Sequence, residues 1–253
     1  MSIFISLVVL IIIILLYLHV NYHLSVSDNK QIYYMDDVDK KTINTFTYFK
    51  QPIIFDYKCR INDPIKDDYS IIDCQNKYTQ IILKKEAAIK LLDTTDYYSE
   101  RNLVDLKQFA IYDAIFTPQN CCKTDYDYLI AKKTMITPLR HEYAYRTFIY
   151  VNKGAIKIKL LTPRSIEASL DYDYLCNEAD KKEHNDYEEK ELKENNVIFI
   201  PSYWWYEIEM LEDSELSFFR YYTVFNMIAI APVLLNAAIC KINSYKGLNK
   251  ISF

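Results

Sequence analysis

The chain has 253 residues, 51% of them hydrophobic and 25% charged, with a formal net charge of -4. It is long enough for one domain with a buried core and too apolar for wholesale disorder. Its 2 glycines, Gly154 and Gly247, exclude the closely spaced glycine pairs of dinucleotide and Walker phosphate loops, and dispersed basic residues on an acidic balance exclude a nucleic-acid face.

No Lys, Arg, Asp or Glu occurs from Ser2 to Ser27, and Ile3 to Leu18 is apolar except for Ser6. Extended to Leu24 at about 1.5 Å per residue, this segment can cross a hydrocarbon core of about 30 Å. Residues 1–27 are therefore predicted to be a single-pass transmembrane anchor with its flank, touching the membrane through Ile3–Leu24. A cleaved signal peptide is the alternative, with small residues at Ser25-Val26-Ser27, but no Lys or Arg precedes the apolar run and the run is long for a signal. Lys30, Lys40 and Lys41 after it tilt the orientation slightly toward a cytoplasmic body.

Residues 28–253 form the predicted domain. Met35 to Phe49 suggests a short helix feeding an edge strand at Ile53-Ile54-Phe55, with Pro52 at its start. Lys84 to Leu92 is the clearest helix, with Ile81, Ala87 and Leu91 on one side, and Asn102 to Phe116 is a second. From Thr137 the pattern turns to strands. Thr147 to Val151 is β-branched and aromatic, Asn152-Lys153-Gly154 is a turn, and Ile156, Ile158 and Leu160 alternate with Lys157 and Lys159. Val197 to Pro201, a strand beginning at Trp204-Trp205-Tyr206, and Leu216 to Tyr222 complete the set. A mainly β fold with a helical lead-in follows, a barrel or double-sheet jelly roll. Tyr221 to Cys240 is free of charge but interrupted by Asn226, Pro232 and Asn236, and is predicted to be a C-terminal helix packed on the domain rather than a second span.

Glu167 to Glu194 holds eleven acidic residues and four lysines, a local charge of -7, so the remainder carries +3. The segment 164–196 is predicted to be a solvated acidic insertion; a cation site using Asp171 and Asp173 lacks a loop motif. The six cysteines, Cys59, Cys74, Cys121, Cys122, Cys176 and Cys240, show no zinc spacing and are expected to be free buried thiols.

Thr137-Pro138-Leu139-Arg140, with Glu142, Tyr145 and Arg146, then Gly154, Lys157 to Pro163, and Ile198 to Tyr206 resemble the core of the cupin-like, JmjC-related hydroxylase superfamily. The likeness is closest to the membrane-anchored cupin-like proteins of large DNA viruses. It covers about residues 32–245 and is strongest over 137–226. It implies a double-stranded β-helix, and in active relatives an Fe(II) held by His-x-Asp and a distant His, with 2-oxoglutarate as cosubstrate. Anchored on Thr137-Pro138, the first His position is Arg140 and the Asp position Glu142; anchored on Gly154, they are His141 and Tyr143. The distant His position is Tyr206 in either register. Arg140 has no lone pair for a metal. Of the other histidines, His19 and His23 belong to the anchor, and His184 lies in the acidic insertion. The cosubstrate lysine position is Ile156, with Lys157 on the opposite face.

No catalytic residue, metal or cofactor is therefore expected, and the chain is read as a membrane-anchored structural, ligand-binding or interaction module. Arg140 and Glu142, two apart on one strand face, are expected to form an ion pair in place of iron, either purely structural or part of an anion pocket. Arg140, Glu142, Tyr206, Arg146, Thr137 and Trp205 are the candidate pocket residues, for a small anionic ligand. Trp204 and Trp205 should face opposite ways. The resemblance leaves one enzymatic alternative, a hydroxylase using Fe(II) and 2-oxoglutarate at His141 and Glu142 with an unidentified third ligand.

Overall fold

The computed structural model describes residues 2–36, 38–58, 61–76, 79–164, 178–179 and 187–248. Cys59, Cys176, His184, Asp171 and Asp173 lie outside them. The fold is mainly β, with an apolar helix α1 (Ser2–Leu24) at one end of the chain and a helix α6 (Val224–Leu248) at the other.

Two sheets make up the body. The larger has nine strands, in the order β1 (Tyr33–Met35), β2 (Ile53–Asp56), β12 (Asn196–Pro201), β8 (Arg146–Lys153), β14 (Ser214–Thr223), β6 (Cys121–Ala131), β5 (Tyr97–Ser99), β3 (Asp68–Asp73), β4 (Thr79–Lys84). The smaller has five, in the order β10 (Glu178–Ala179), β7 (Leu139–His141), β13 (Trp205–Met210), β9 (Ala155–Leu161), β11 (Glu188–Lys193).

Alternation along each strand dictates this layering, because successive side chains leave opposite faces. Ile149 and Val151 of β8, Ile198 and Ile200 of β12, and Leu216 and Phe218 of β14 meet Ile156, Ile158 and Leu160 of β9 and Ile208 and Met210 of β13 between the sheets. Each fully buried aliphatic side chain contributes about 1.5–3 kcal/mol. The other face of the large sheet carries Phe148, Tyr150, Val197, Phe199 and Phe219, covered by Ile43 of α2 (Lys40–Phe49), Ala88 of α3 (Lys85–Leu92), Phe109 of α4 (Leu106–Ala110) and Phe116 of α5 (Asp113–Phe116). On the open face of the small sheet, Lys159 reaches Glu207 at 3.2 Å.

Several expectations are corrected. Ile53–Asp56 is not an edge strand, because β1 pairs with it in parallel and occupies the edge. The helix expected over Asn102–Phe116 is two short helices, and Ile81 belongs to strand β4 instead of the helix that follows. Part of the acidic insertion is strand: β11 pairs with β9 and buries Leu192 while its charges stay outside. Cys122 is an exposed thiol and Cys74 and Cys121 are half-buried, so these three are free but not sequestered. Trp204 packs between the sheets whereas Trp205 packs with Leu139 and Leu161, on opposite sides as expected.

Among its described side chains, helix α6 does not lie flat on the domain. Its base is held to the body: Asn226 Nδ2 donates to the Tyr143 carbonyl at 3.0 Å, and Ala229 and Ile230 are buried. Between and after these, Val224, Ile228, Leu234, Leu235 and Ile239 are exposed. Its neighbour is α1, with the His19 and Phe225 rings stacked at 4.8 Å. Phe4–Leu24 of α1 is long and apolar enough to cross a membrane, and none of its most apolar stretch is buried.

Candidate functional site

Inward positions of the strands turn polar at one end of the space between the sheets. In β14 the inward series Leu216, Phe218 ends in Arg220; in β6 the series Ala131, Leu129 runs to Asp127 and Asp125. Arg140 of β7 stands directly across from Tyr206 of β13, and Arg220 directly across from Asp125. Arg140, Arg220, Asp125 and Asp127, together with Glu100, Arg101, Asn102, His141, Glu142 and Tyr222, line a cavity of about 440 Å³, with Tyr206 directly behind it.

Two linked ion pairs define the site. Arg140 Nη1 donates to Glu100 Oε1 at 2.5 Å, with both side chains almost wholly buried. Glu142 Oε1 accepts from the Tyr206 hydroxyl at 2.7 Å and from Arg220 Nε at 2.9 Å. The Arg140 guanidinium also lies over the Tyr206 ring, 5.6 Å from its centroid. The expected Arg140–Glu142 pair is thus replaced by an exchange of partners: Glu100, from the loop after β5, takes Arg140, and Arg220 takes Glu142. The Tyr203 amide fixes this end of the strand by donating to the Glu142 carbonyl at 2.8 Å.

Burial drives the protonation states, moderated by these partners. Burial pushes the Glu100 carboxyl up, but Arg140, Arg101 and Arg220 together outweigh it and hold it below the ordinary range. Burial, with Glu142 beside it, lifts the Tyr206 phenol far above its ordinary value, so it remains a neutral donor. Asp127 is pushed up to about 6 by burial and by Glu100, against Arg220 and the backbone N–H groups of Arg101 and Asn102. Those two N–H groups reach its oxygens at 2.8 and 3.0 Å. Burial alone lowers His141 to about 4.

The other candidate residues are placed elsewhere. Thr137 is wholly buried, and its Oγ1 accepts from the Ile208 amide at 3.0 Å, a strand-tying role outside the cavity. Trp205 packs edge-on against the His141 ring at 4.3 Å and does not line the cavity. Arg146 faces the opposite, helix-covered side of the large sheet, because β8 is a strand of that sheet rather than of the small one. Glu100, Asp125, Asp127 and Arg220 carry the site without having been singled out from sequence. Only Arg220 left a signal there, as a lone charge inside the apolar run Leu216 to Tyr222.

These residues do not fit an Fe(II) of the kind the sequence resemblance implies. Arg140 offers no lone pair, Glu142 is engaged by Arg220 and Tyr206, and Tyr206 keeps its proton. The His141 ring lies between Trp205 at 4.3 Å and Tyr143 at 4.5 Å. Among the described residues no three His, Cys, Asp or Glu side chains are grouped so as to hold an ion. What the arrangement offers chemically is hydrogen-bond donation: Arg220 donates to Glu142 through Nε and lines the cavity beside Arg101 and Arg140.

No family model and no curated protein matches the chain. Among solved structures it is similar to E. coli ycfD, with a TM-score of 0.56 at 12% identity over 77% of this chain. The match spans 56% of that protein. At this identity the likeness concerns the fold alone.

Proposed function

We propose that this chain is a membrane-anchored cupin-like domain of JmjC-related, jelly-roll type. It uses the position of the lost metal site to hold a small anionic ligand and carries out no redox chemistry. The observation that carries this reading is the partner exchange around Glu142: its carboxylate is already neutralised by Arg220 and hydrogen-bonded by Tyr206, while Arg140 is clamped by Glu100. A carboxylate so engaged is a poor metal ligand, and the guanidinium groups of Arg140 and Arg220 are of a kind suited to a carboxylate or phosphate. The apolar, exposed α1 supports single-pass anchoring, and the residues around Thr137–Arg146 support kinship with the viral anchored group.

The enzymatic alternative, Fe(II) and 2-oxoglutarate at His141 and Glu142, draws on the same cavity. A thermal-unfolding screen of the full chain in mild detergent against dicarboxylates, hydroxy acids and sugar phosphates tests the proposal. Stabilisation by one class that disappears in Arg220→Gln is the expected result. A panel in which no anion raises the melting temperature contradicts it.

A further inference from the structure

A second cavity, of about 620 Å³, lies where α1 meets the body. Its walls are of two kinds. Leu15 and Leu18 of α1 and Phe225 of α6 form an apolar side, and Asn44, Tyr48 and Arg146 form a polar one. The apolar wall is continuous with the exposed surfaces of α1 and of the first turns of α6. If α1 enters a bilayer, this cavity opens at the level of the lipid headgroups. The inference rests in this respect on the anchoring proposed above.

The polar wall has a charge that the protein does not balance. Arg146 is 2% exposed, yet its guanidinium meets only neutral acceptors: Nη1 donates to the Phe116 carbonyl at 3.0 Å and Nη2 to Asn44 Oδ1 at 2.5 Å. Its Nε finds no acceptor, and the Tyr145 ring lies 5.6 Å below. Lys50, buried a few residues along from Asn44, likewise donates to carbonyls, those of Tyr22, His23 and Ser25 at the end of α1, and lies over the Tyr22 ring. Among the described residues neither cation has a carboxylate within ion-pair distance. A buried cation without a counter-charge is costly, and burial lowers both Arg146 and Lys50 from their ordinary values. A mobile anion that arrives with an apolar tail would satisfy both walls at once.

We infer that the junction of α1, α2 and α6 binds an anionic phospholipid, with its net-negative headgroup at Arg146 and an acyl chain along Leu15, Leu18 and Phe225. The full chain, reconstituted in nanodiscs of equal parts phosphatidylcholine and phosphatidylserine, should retain phosphatidylserine about fivefold over the bulk ratio after stripping, read by native mass spectrometry. Because Arg146→Gln can fail to fold, the decisive variant is Asn44→Asp, which supplies a carboxylate in the place of a neutral acceptor. It should bring the retained lipid back to the bulk ratio while keeping or raising the melting temperature. Equal enrichment in Asn44→Asp, or none in the wild type, overturns the inference. So does inorganic phosphate stabilising the chain in detergent as strongly as phosphatidylserine, which would assign the site to a free anion. Alkaline carbonate extraction separates the two readings: a chain retained in membranes without lipid enrichment fails this inference alone, whereas a released chain fails the anchoring as well.

Discussion

Tyr206 and Glu142 are 64 residues apart in sequence, and the phenol of one donates to the carboxylate of the other at 2.7 Å inside the protein. The same oxygen takes Arg220 Nε at 2.9 Å. A neutral donor and a charged one therefore share one acceptor, and their removal should differ in cost. Glu142→Gln strands Arg220 without its counter-charge and is expected to destabilise by about 3–5 kcal/mol. Tyr206→Phe leaves the ion pair intact and should cost about 1–2 kcal/mol. Denaturant unfolding of the full chain in detergent measures both, and an equal cost would make Tyr206 rather than Arg220 the main partner.

Anion binding in the first cavity should tighten as pH falls from 7 toward 5. Asp127, raised from 3.8 to about 6, gains its proton in that interval and removes one negative charge from the cavity wall. For charges about 8 Å apart at an effective dielectric of about 40, this is worth about 1 kcal/mol, or fivefold in affinity. Asp127→Asn should abolish the dependence, as read by calorimetric titration at several pH values. The folding contributions have opposite signs. With its folded pKa above its unfolded one, Asp127 stabilises at low pH and loses that contribution as pH rises from 3.8 through about 6. His141, lowered from 6.5 to about 4, favours the fold above 6.5, and that contribution falls away as pH drops toward 4.

Lys50 ties α1 to the body. Its backbone is left-handed, with φ 52°, and its ammonium takes the carbonyls of Tyr22, His23 and Ser25 where a helix C-terminus carries partial negative charge. Lys50→Asn keeps the left-handed backbone accessible but removes the charge. Hydrogen exchange of the Ser25 amide, which donates to the Asn21 carbonyl at 2.9 Å, should accelerate about tenfold. Unchanged exchange would show that ring packing, such as Tyr22 on Tyr48 at 5.5 Å, holds the helix end instead.

Gly154 links β8 to β9 with φ +81°, and a Cβ there would sit 2.5 Å from the Asp213 carbonyl oxygen and 2.6 Å from Ser214 Oγ. Gly154→Ala combines backbone strain with a clash against main chain, so a loss of more than about 1 kcal/mol is expected in thermal unfolding. A neutral result would mean that the Asp213–Ser214 turn can move aside.

Strands β8, β9, β12, β13 and β14 are legible because their alternation is strict: Ile156, Ile158 and Leu160 inward against Lys157 and Lys159 outward admits one register, whereas the charge of β11 hides its single buried residue, Leu192. The strands β3, β4, β5 and β6 are not. Ile81 and Ile82 are exposed apolar residues that break the period, and Cys121 to Asp127 is polar on both faces for half of its length. In the site, the convergence of Arg140, Glu142 and Tyr206 followed from motif spacing, yet their partners did not. Glu100 and Arg220 reach the cavity through a loop and a strand that are 40 and 78 residues from the groups they bind, and nothing local marks such a pairing. Arg146 was misassigned for a related reason. It lies close to Glu142 in sequence, but the chain passes from one sheet to the other between them.

The central claim, that an ion-pair network stands where a metal would be held, is tested most directly by anaerobic Fe(II) titration of the full chain in detergent, with bound iron and succinate formed from 2-oxoglutarate measured on the same sample. The account predicts substoichiometric iron that is unchanged in His141→Ala, and no succinate above background. One tightly bound iron per chain, lost in His141→Ala or Glu142→Gln and accompanied by succinate, would contradict it.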